Sequence, residues 1–110
     1  FFKLNLSKIN LLGVSTVLQA VGPSYPSSST DTPPYNSQNE QLADAYKDIF
    51  TKIKETTTPE LKDIKRIGIP LLSGAVFKGK QSLVKIIEIA VETIIEEAKT
   101  FDRDLEIFVF

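Results

Sequence analysis

Apolar side chains recur at helical spacing in two stretches of this chain. From about residue 40 to 55 they fall on one face, which predicts an amphipathic helix, and Ser37 with Glu40 has the form of a capping box at its start. From about residue 80 to 99 a broader apolar face predicts a second helix. The apolar positions are Leu42, Tyr46, Ile49, Phe50 and Ile53 in the first helix, and Leu83, Ile87, Ala90, Val91, Ile94 and Ala98 in the second.

Three further segments have the composition of strands. Residues 14–21 are rich in β-branched side chains and stop at Gly22-Pro23, and a second apolar run ends at Leu72, just before a loop of small residues. Residues 105–110 are almost continuously apolar, which is typical of a strand buried on both faces of a sheet.

A long irregular segment separates the first strand from the first helix. Residues 24–36 contain Pro26, Pro33 and Pro34 among many Ser and Thr residues, so we expect either a mobile loop over a site or a tolerated insertion. The order strand, loop, helix, strand, loop, helix, strand predicts an α/β fold with a mostly parallel sheet and flanking helices. We expect residues 1–110 to form a single domain.

Composition narrows the functional classes. The chain has 110 residues, a net charge of −1 and a pI near 5.4, which makes nucleic acid an unlikely partner and predicts only local anion recognition. It contains no Cys and no His, so we expect no metal site, and the usual general base is missing. No apolar run reaches the roughly 18 residues of a membrane span. We expect a cytoplasmic protein without membrane contact or a cofactor, whereas catalytic residues and oligomeric state stay undetermined.

The beginning of the chain allows two interpretations. Lys3 and Lys8, followed by the apolar residues from 11 to 20, resemble a signal peptide, although Asn10 and Gln19 make that segment polar. The first residue is Phe1 rather than Met, so a processed product or an excised fragment is also to be considered.

The loop that follows the second predicted strand is the candidate site. Residues 66–79 run from an apolar segment through Ser73-Gly74-Ala75 into the second predicted helix. Small side chains let a ligand approach the backbone N–H groups, which favour an anion. Loops of this kind also merely turn the chain in many α/β proteins. The spacing matches neither a P-loop nor a dinucleotide-binding fingerprint.

Three segments together resemble the C-terminal half of a macro domain. They are residues 20–23 (Ala-Val-Gly-Pro), 42–46 (Leu-Ala-Asp-Ala-Tyr) and 69–79 (Ile-Pro-Leu-Leu-Ser-Gly-Ala-Val-Phe-Lys-Gly), in the family's order. The resemblance extends over about residues 14–110. It implies a three-layer α/β/α fold, of which this chain is an incomplete part, and a ligand that is ADP-ribose or an ADP-ribosylated protein.

The resemblance also implies the positions of the ligand. Backbone amides of residues 73–77 are expected to hold the diphosphate, with Phe77 close to the distal ribose. Residues 21–23 are expected to flank the same cleft, and Phe110 to lie against adenine, which agrees with the stacking capacity of an aromatic ring. The ligand-binding residues implied in this way are Val21, Gly22, Pro23, Leu72, Ser73, Gly74, Ala75, Val76, Phe77 and Phe110.

The chain departs from the family in two respects. Ala75 stands where the family usually has Gly, and if that position requires a positive φ, the loop is strained by about 1 kcal/mol or more. The family's first half, with its adenine-recognising acidic residue and its Asn-Ala-Ala-Asn loop, has no match. The asparagines that do not reproduce that loop are Asn5, Asn10, Asn36 and Asn39.

Three functions are therefore open. The first is a binding module for ADP-ribose or a related ADP-ribosylated ligand. The second is an ADP-ribosyl hydrolase, acting on modified proteins or on ADP-ribose-1''-phosphate when the missing N-terminal half is present. The third is a degenerate structural fragment that binds nothing.

Overall fold

The described part of the chain forms a small α/β unit. The computed structural model describes residues 16–27, 33–57 and 62–110. Within these ranges, the elements in chain order are helix α1 (Asn36–Glu55), strand β1 (Arg66–Ile69), a 3-10 turn (Val76–Lys78), helix α2 (Leu83–Lys99) and strand β2 (Glu106–Val109). The α/β class predicted from the sequence is confirmed in this coarse form.

The two strands form a parallel pair. Arg66 lies opposite Glu106 and Ile69 opposite Val109, and α2 connects the strands. Because the strands are parallel, their carboxyl ends lie at the same edge of the sheet. The predicted site loop and Phe110 therefore leave the sheet on the same side.

The core lies where α1 packs against α2 and the sheet. Four side chains of α1 spaced three or four residues apart are buried, and they meet the buried face of α2. Full burial of a large apolar side chain contributes about 1.5–3 kcal/mol, so this contact holds the unit together. The buried apolar residues of the two helices are Leu42, Tyr46, Phe50, Ile53, Ile86, Ile89, Ala90 and Ile94.

The helix starts differ from those predicted. Helix α1 begins at Asn36 rather than near residue 40, and no side chain caps it, so the capping box of Ser37 and Glu40 is wrong. Tyr35 precedes the helix with φ 55° and is buried. Burial of this ring, rather than a polar cap, accompanies the helix start. Helix α2 begins at Leu83, where Ser82 Oγ accepts a hydrogen bond from Lys85 N–H at 3.4 Å.

The strands are shorter than predicted. Residues 16–21 contain only an isolated bridge at Val17 instead of a strand, and residues 14 and 15 lie outside the described ranges. Strand β1 ends at Ile69 rather than Leu72, although Leu71 N–H still donates to the Phe110 carbonyl. Residues 72 and 73 form a turn, in which Leu72 N–H donates to the Tyr46 hydroxyl.

The burial predicted for residues 105–110 is wrong. Phe108 is 50% exposed, Val109 45% and Phe110 81%. The physical reason is that β2 pairs with β1 alone among the described residues, and they leave much of its surface uncovered. Two other predictions concern residues outside the described ranges. They are residues 1–15 of the possible signal peptide and residues 28–32 of the predicted long loop.

Candidate functional site

The loop at the carboxyl end of β1 lies against residues 22–23. Ser73 Oγ donates a hydrogen bond to the Pro23 carbonyl at 2.6 Å. A Cβ on Gly22 would lie 2.5 Å from Ser73 Oγ, so this close approach requires glycine. The structure therefore brings together two segments that are fifty residues apart and that the resemblance assigned to one cleft.

Two backbone hydrogen bonds fasten the end of this loop to the segment after Pro23. Tyr25 N–H donates to the Phe77 carbonyl at 2.8 Å, and Lys80 N–H donates to the Pro26 carbonyl at 2.9 Å. Gly79 lies between them with φ 52°, and a Cβ there would be 2.4 Å from the Tyr25 carbonyl oxygen. The site loop and the start of the predicted long loop thus form one connected surface.

Some amides of the site loop are used within the protein. Leu72 N–H donates to the Tyr46 hydroxyl at 2.8 Å, Gly74 N–H to the Leu71 carbonyl at 3.1 Å, and Lys78 N–H to the Ala75 carbonyl at 3.0 Å. The N–H groups of residues 75–77 have no hydrogen-bond partner within the described part of the chain. Residues 75–77 are also exposed. Three consecutive donors are therefore accessible to a ligand.

The backbone conformation answers the question raised by Ala75. Ala75 has φ −120°, so the strain expected for a positive φ does not arise there. The residue with positive φ is Ser73, at 59°, and its hydrogen bond to Pro23 holds it in place. Gly74 is required for a steric reason, because a Cβ would lie 2.9 Å from the Leu71 carbonyl oxygen.

Tyr46 positions the first amide of the loop, a role that the sequence analysis missed. Its side chain is fully buried in α1, and its hydroxyl accepts the hydrogen bond from Leu72 N–H. Burial raises the pKa of this hydroxyl above its usual value of 10.0, and the hydrogen bond from Leu72 acts in the opposite direction. A tyrosine on an otherwise apolar stripe was the available signal, since a buried hydroxyl requires a partner.

A second polar network links α1 to both loops, and it was also missed. Asn39 Oδ1 accepts hydrogen bonds from the Tyr25 hydroxyl at 2.8 Å and from Gln81 Nε2 at 3.0 Å. Asn39 Nδ2 donates to the Pro34 carbonyl at 2.8 Å, and Gln81 is buried. Asn39 therefore connects the segment before α1 with the segment that enters α2. Sequence spacing carries no signal for this contact, because the partners come from three distant segments.

Not all of the predicted site residues line one cavity. Leu72 and Phe110 line an apolar groove of about 580 Å³ beside β1. Val21 instead lines a shallower groove of about 320 Å³ between residues 18–21 and α1. Phe110 is tied to the sheet end, where its N–H donates to the Ile69 carbonyl at 3.0 Å and its carbonyl accepts from Leu71 N–H at 3.1 Å.

The one basic side chain within residues 73–79 is that of Lys78. Lys78 Nζ is directed to the carbonyls of Gly79 and Gln81, at 3.3 and 3.1 Å. Within the described ranges, no cluster of three acidic, Cys or His residues is suited to a metal ion. Neither α1 nor α2, the two helices in those ranges, has the length and apolar character needed to cross a membrane.

Comparison with protein-family models, with curated proteins and with solved structures finds no match to this chain. The class that the described residues define is an α/β unit with a parallel strand pair and an exposed, small-residue loop at its carboxyl end.

Proposed function

We propose that this protein binds ADP-ribose, or the ADP-ribose group of a modified protein, with the diphosphate held by the loop of residues 73–77. In this proposal the described residues are part of a three-layer α/β/α domain of the macro type. The domain acts in the cytoplasm as a binding module.

The observation that carries this proposal is the run of three amides at residues 75–77 that have no hydrogen-bond partner within residues 16–27, 33–57 and 62–110. Consecutive backbone donors in a small-residue loop favour an anion with several acceptor oxygens, and a diphosphate has several such oxygens. The loop also lies beyond the carboxyl end of a parallel strand, where ligands of α/β proteins usually bind. Since Lys78 is directed to carbonyls, main-chain donors rather than a salt bridge are expected to recognise the phosphates.

The remaining parts of the ligand have candidate contacts close to this loop. Phe77 is partly exposed and belongs to the loop itself, and in this proposal its ring packs against the distal ribose. Phe110 offers an exposed ring at the same edge of the sheet, and aromatic rings stack on adenine. Gly22 and Pro23 border the loop through the hydrogen bond from Ser73.

The sharpest test places a negative charge beside the three amides. Val76 is 91% exposed, so its replacement disturbs no packing. Val76→Glu introduces a carboxylate, and Val76→Gln is the matched neutral control of nearly the same shape. Two unit charges about 4 Å apart repel by about 1–4 kcal/mol near a protein surface, so we expect the Glu variant to bind ADP-ribose about tenfold more weakly or worse.

Isothermal titration calorimetry with ADP-ribose measures these affinities, with adenosine as a ligand that lacks phosphate. Equal affinity of the two variants places the diphosphate elsewhere and refutes the site. No heat for the wild-type protein, even at millimolar concentration, refutes binding and supports a structural role. Release of ADP-ribose from a modified protein in the same samples would instead establish hydrolase activity.

A further inference from the structure

Two backbone hydrogen bonds connect Tyr25 to the middle of the site loop. Tyr25 N–H donates to the Phe77 carbonyl at 2.8 Å. The peptide group of that carbonyl also carries the Lys78 N–H, which donates to the Ala75 carbonyl at 3.0 Å. The Ala75 carbonyl in turn shares its peptide group with the Val76 N–H, the central amide of the candidate site. Because a peptide group is planar, holding its carbonyl also sets the direction of its N–H. The direction of the Val76 N–H therefore depends on the position of Tyr25.

Asn39, in the first turn of α1, holds the side chain of Tyr25. Its Oδ1 accepts a hydrogen bond from the Tyr25 hydroxyl at 2.8 Å, and its Nδ2 donates to the Pro34 carbonyl at 2.8 Å. The Tyr25 ring is buried and packs edge-on against Tyr35, with ring centroids 6.0 Å apart. A buried ring that is also held at its hydroxyl has little freedom to move, so the backbone N–H of Tyr25 is held with it.

Asn39 also contacts the other end of the site loop. Gln81 Nε2 donates to Asn39 Oδ1 at 3.0 Å, and Gln81 N–H donates to the Lys78 carbonyl at 3.0 Å. Gly79 lies between Lys78 and Gln81, so close to Tyr25 that a Cβ would be 2.4 Å from the Tyr25 carbonyl oxygen. One side chain of α1 thus holds the loop through two partners, one on each side of this close contact.

We infer that Asn39 is a positioning residue for phosphate recognition, which sets the direction of the Val76 N–H by holding Tyr25 and Gln81. The inference rests on the proposed function, because it gives Asn39 a role in binding the diphosphate of ADP-ribose. Asn39 acts through its two partners rather than on the ligand itself. Its loss is expected to weaken the contacts to phosphate and to spare the contacts to adenosine, since the amides of the loop hold only the diphosphate.

The same substitution at two asparagines of α1 separates this role from a general effect on the helix. Asn39→Leu keeps nearly the shape of the side chain and removes all of its hydrogen bonds. Asn36→Leu is the matched control, because Asn36 is exposed and its side chain forms no hydrogen bond within the described ranges. Only Asn39→Leu therefore removes the link to Tyr25 and Gln81.

Isothermal titration calorimetry compares ADP-ribose with adenosine as ligands. We expect Asn39→Leu to bind ADP-ribose at least about tenfold more weakly than the wild type and adenosine within about twofold of it, whereas Asn36→Leu binds both as the wild type does. Equal affinity of Asn39→Leu and the wild type for ADP-ribose overturns the inference and leaves the proposed function standing. An equal loss for both ligands overturns it too, since a general loosening of the fold weakens both. No binding of ADP-ribose by the wild type refutes the proposed function itself and, with it, this role of Asn39.

Amide NMR spectra of the ligand-free protein test the same link without ADP-ribose. In Asn39→Leu we expect the Tyr25 amide to exchange faster with solvent and the Val76 amide resonance to move. The Leu72 amide, which is held by Tyr46, is expected to stay as in the wild type. Unchanged Tyr25 and Val76 amides overturn the inference. Faster exchange of the Leu72 amide as well shows that the whole loop is loosened, which also overturns a specific role of Asn39.

Discussion

The substitution Tyr46→Phe isolates one hydrogen bond between the core and the site loop. It removes only the hydroxyl that accepts the hydrogen bond from Leu72 N–H at 2.8 Å. Tyr46 is fully buried and Leu72 is 9% exposed, so water has little access to replace the lost acceptor. An orphaned buried donor costs about 1–3 kcal/mol. We therefore expect the free energy of unfolding to fall by about 2 kcal/mol.

Urea denaturation measures this loss. With a slope of about 2 kcal/mol/M for a protein of this size, the midpoint is expected to fall by about 1 M. Because Leu72 opens the site loop, we also expect its amide to exchange faster with solvent in the variant. Under the proposed function, the affinity for ADP-ribose should decrease as well, since the loop is held less rigidly.

Tyr25→Phe is the matched control. The Tyr25 hydroxyl donates to Asn39 Oδ1, which keeps a second donor in Gln81 Nε2 at 3.0 Å. No buried group is left without a partner, so only the net value of one hydrogen bond is lost, about 0.5–1.5 kcal/mol. The reasoning is refuted if Tyr25→Phe destabilises the protein more than Tyr46→Phe, or if Tyr46→Phe leaves the midpoint unchanged.

Three more predictions concern pH, backbone conformation and surface charge. Burial raises the pKa of Tyr46 in the folded chain. The free energy of unfolding should therefore decline above about pH 10, because the unfolded chain loses this proton there and the folded chain keeps it. Urea titrations from pH 9 to 11.5 should show a shallower decline for Tyr46→Phe, and parallel curves would contradict this cause. Gly79→Ala should lower the stability by more than about 1 kcal/mol, because φ is 52° and the Cβ would meet the Tyr25 carbonyl. Ala75→Gly, at φ −120°, should lower the stability by less than about 1 kcal/mol. Thermal denaturation compares the two variants, and equal losses would count against the backbone argument. Arg66 and Glu106 form an exposed ion pair at 3.3 Å. A double substitution to Ala should change stability by less than about 1 kcal/mol. A larger loss in urea denaturation would show that one of these side chains contributes through packing.

The sequence predicted elements where local periodicity determines structure. The apolar spacing from Leu42 to Ile53 identified α1 and its buried face, because one helical stripe packs against one partner surface. The predicted helix start was wrong: α1 begins at Asn36, directly after the buried Tyr35, and no side chain caps it. Strand β1 is followed by a turn in which the Leu72 amide bonds to the hydroxyl of Tyr46 in α1, a contact between distant residues that a local pattern does not describe.

The sequence predicted the small-residue loop of the candidate site but not the side chains that hold it. Small residues at 73–75 indicated a tight loop. Ser73 Oγ donates a hydrogen bond to the Pro23 carbonyl, whereas ligand binding by Gly22 and Pro23, which the resemblance implies, stays a prediction. The polar partners Tyr46, Asn39 and Gln81 were missed, because each acts through contacts between distant segments. Whether the loop binds ADP-ribose stays a prediction until the two Val76 variants are compared.

Helix α2 shows why the pattern of a sequence and the burial of its residues can differ. One face of α2 packs on α1, yet a second apolar face is 42–75% exposed, and it consists of Leu83, Val84, Ile87, Val91 and Ile95. A helix that is apolar on two sides is typical of an element placed between two layers. The described residues supply one of those layers. The end of β2 is likewise more exposed than predicted, at Phe108, Val109 and Phe110. Apolar periodicity therefore identified which surfaces of this chain favour contact, whereas their burial depends on a second surface that residues 16–27, 33–57 and 62–110 do not provide.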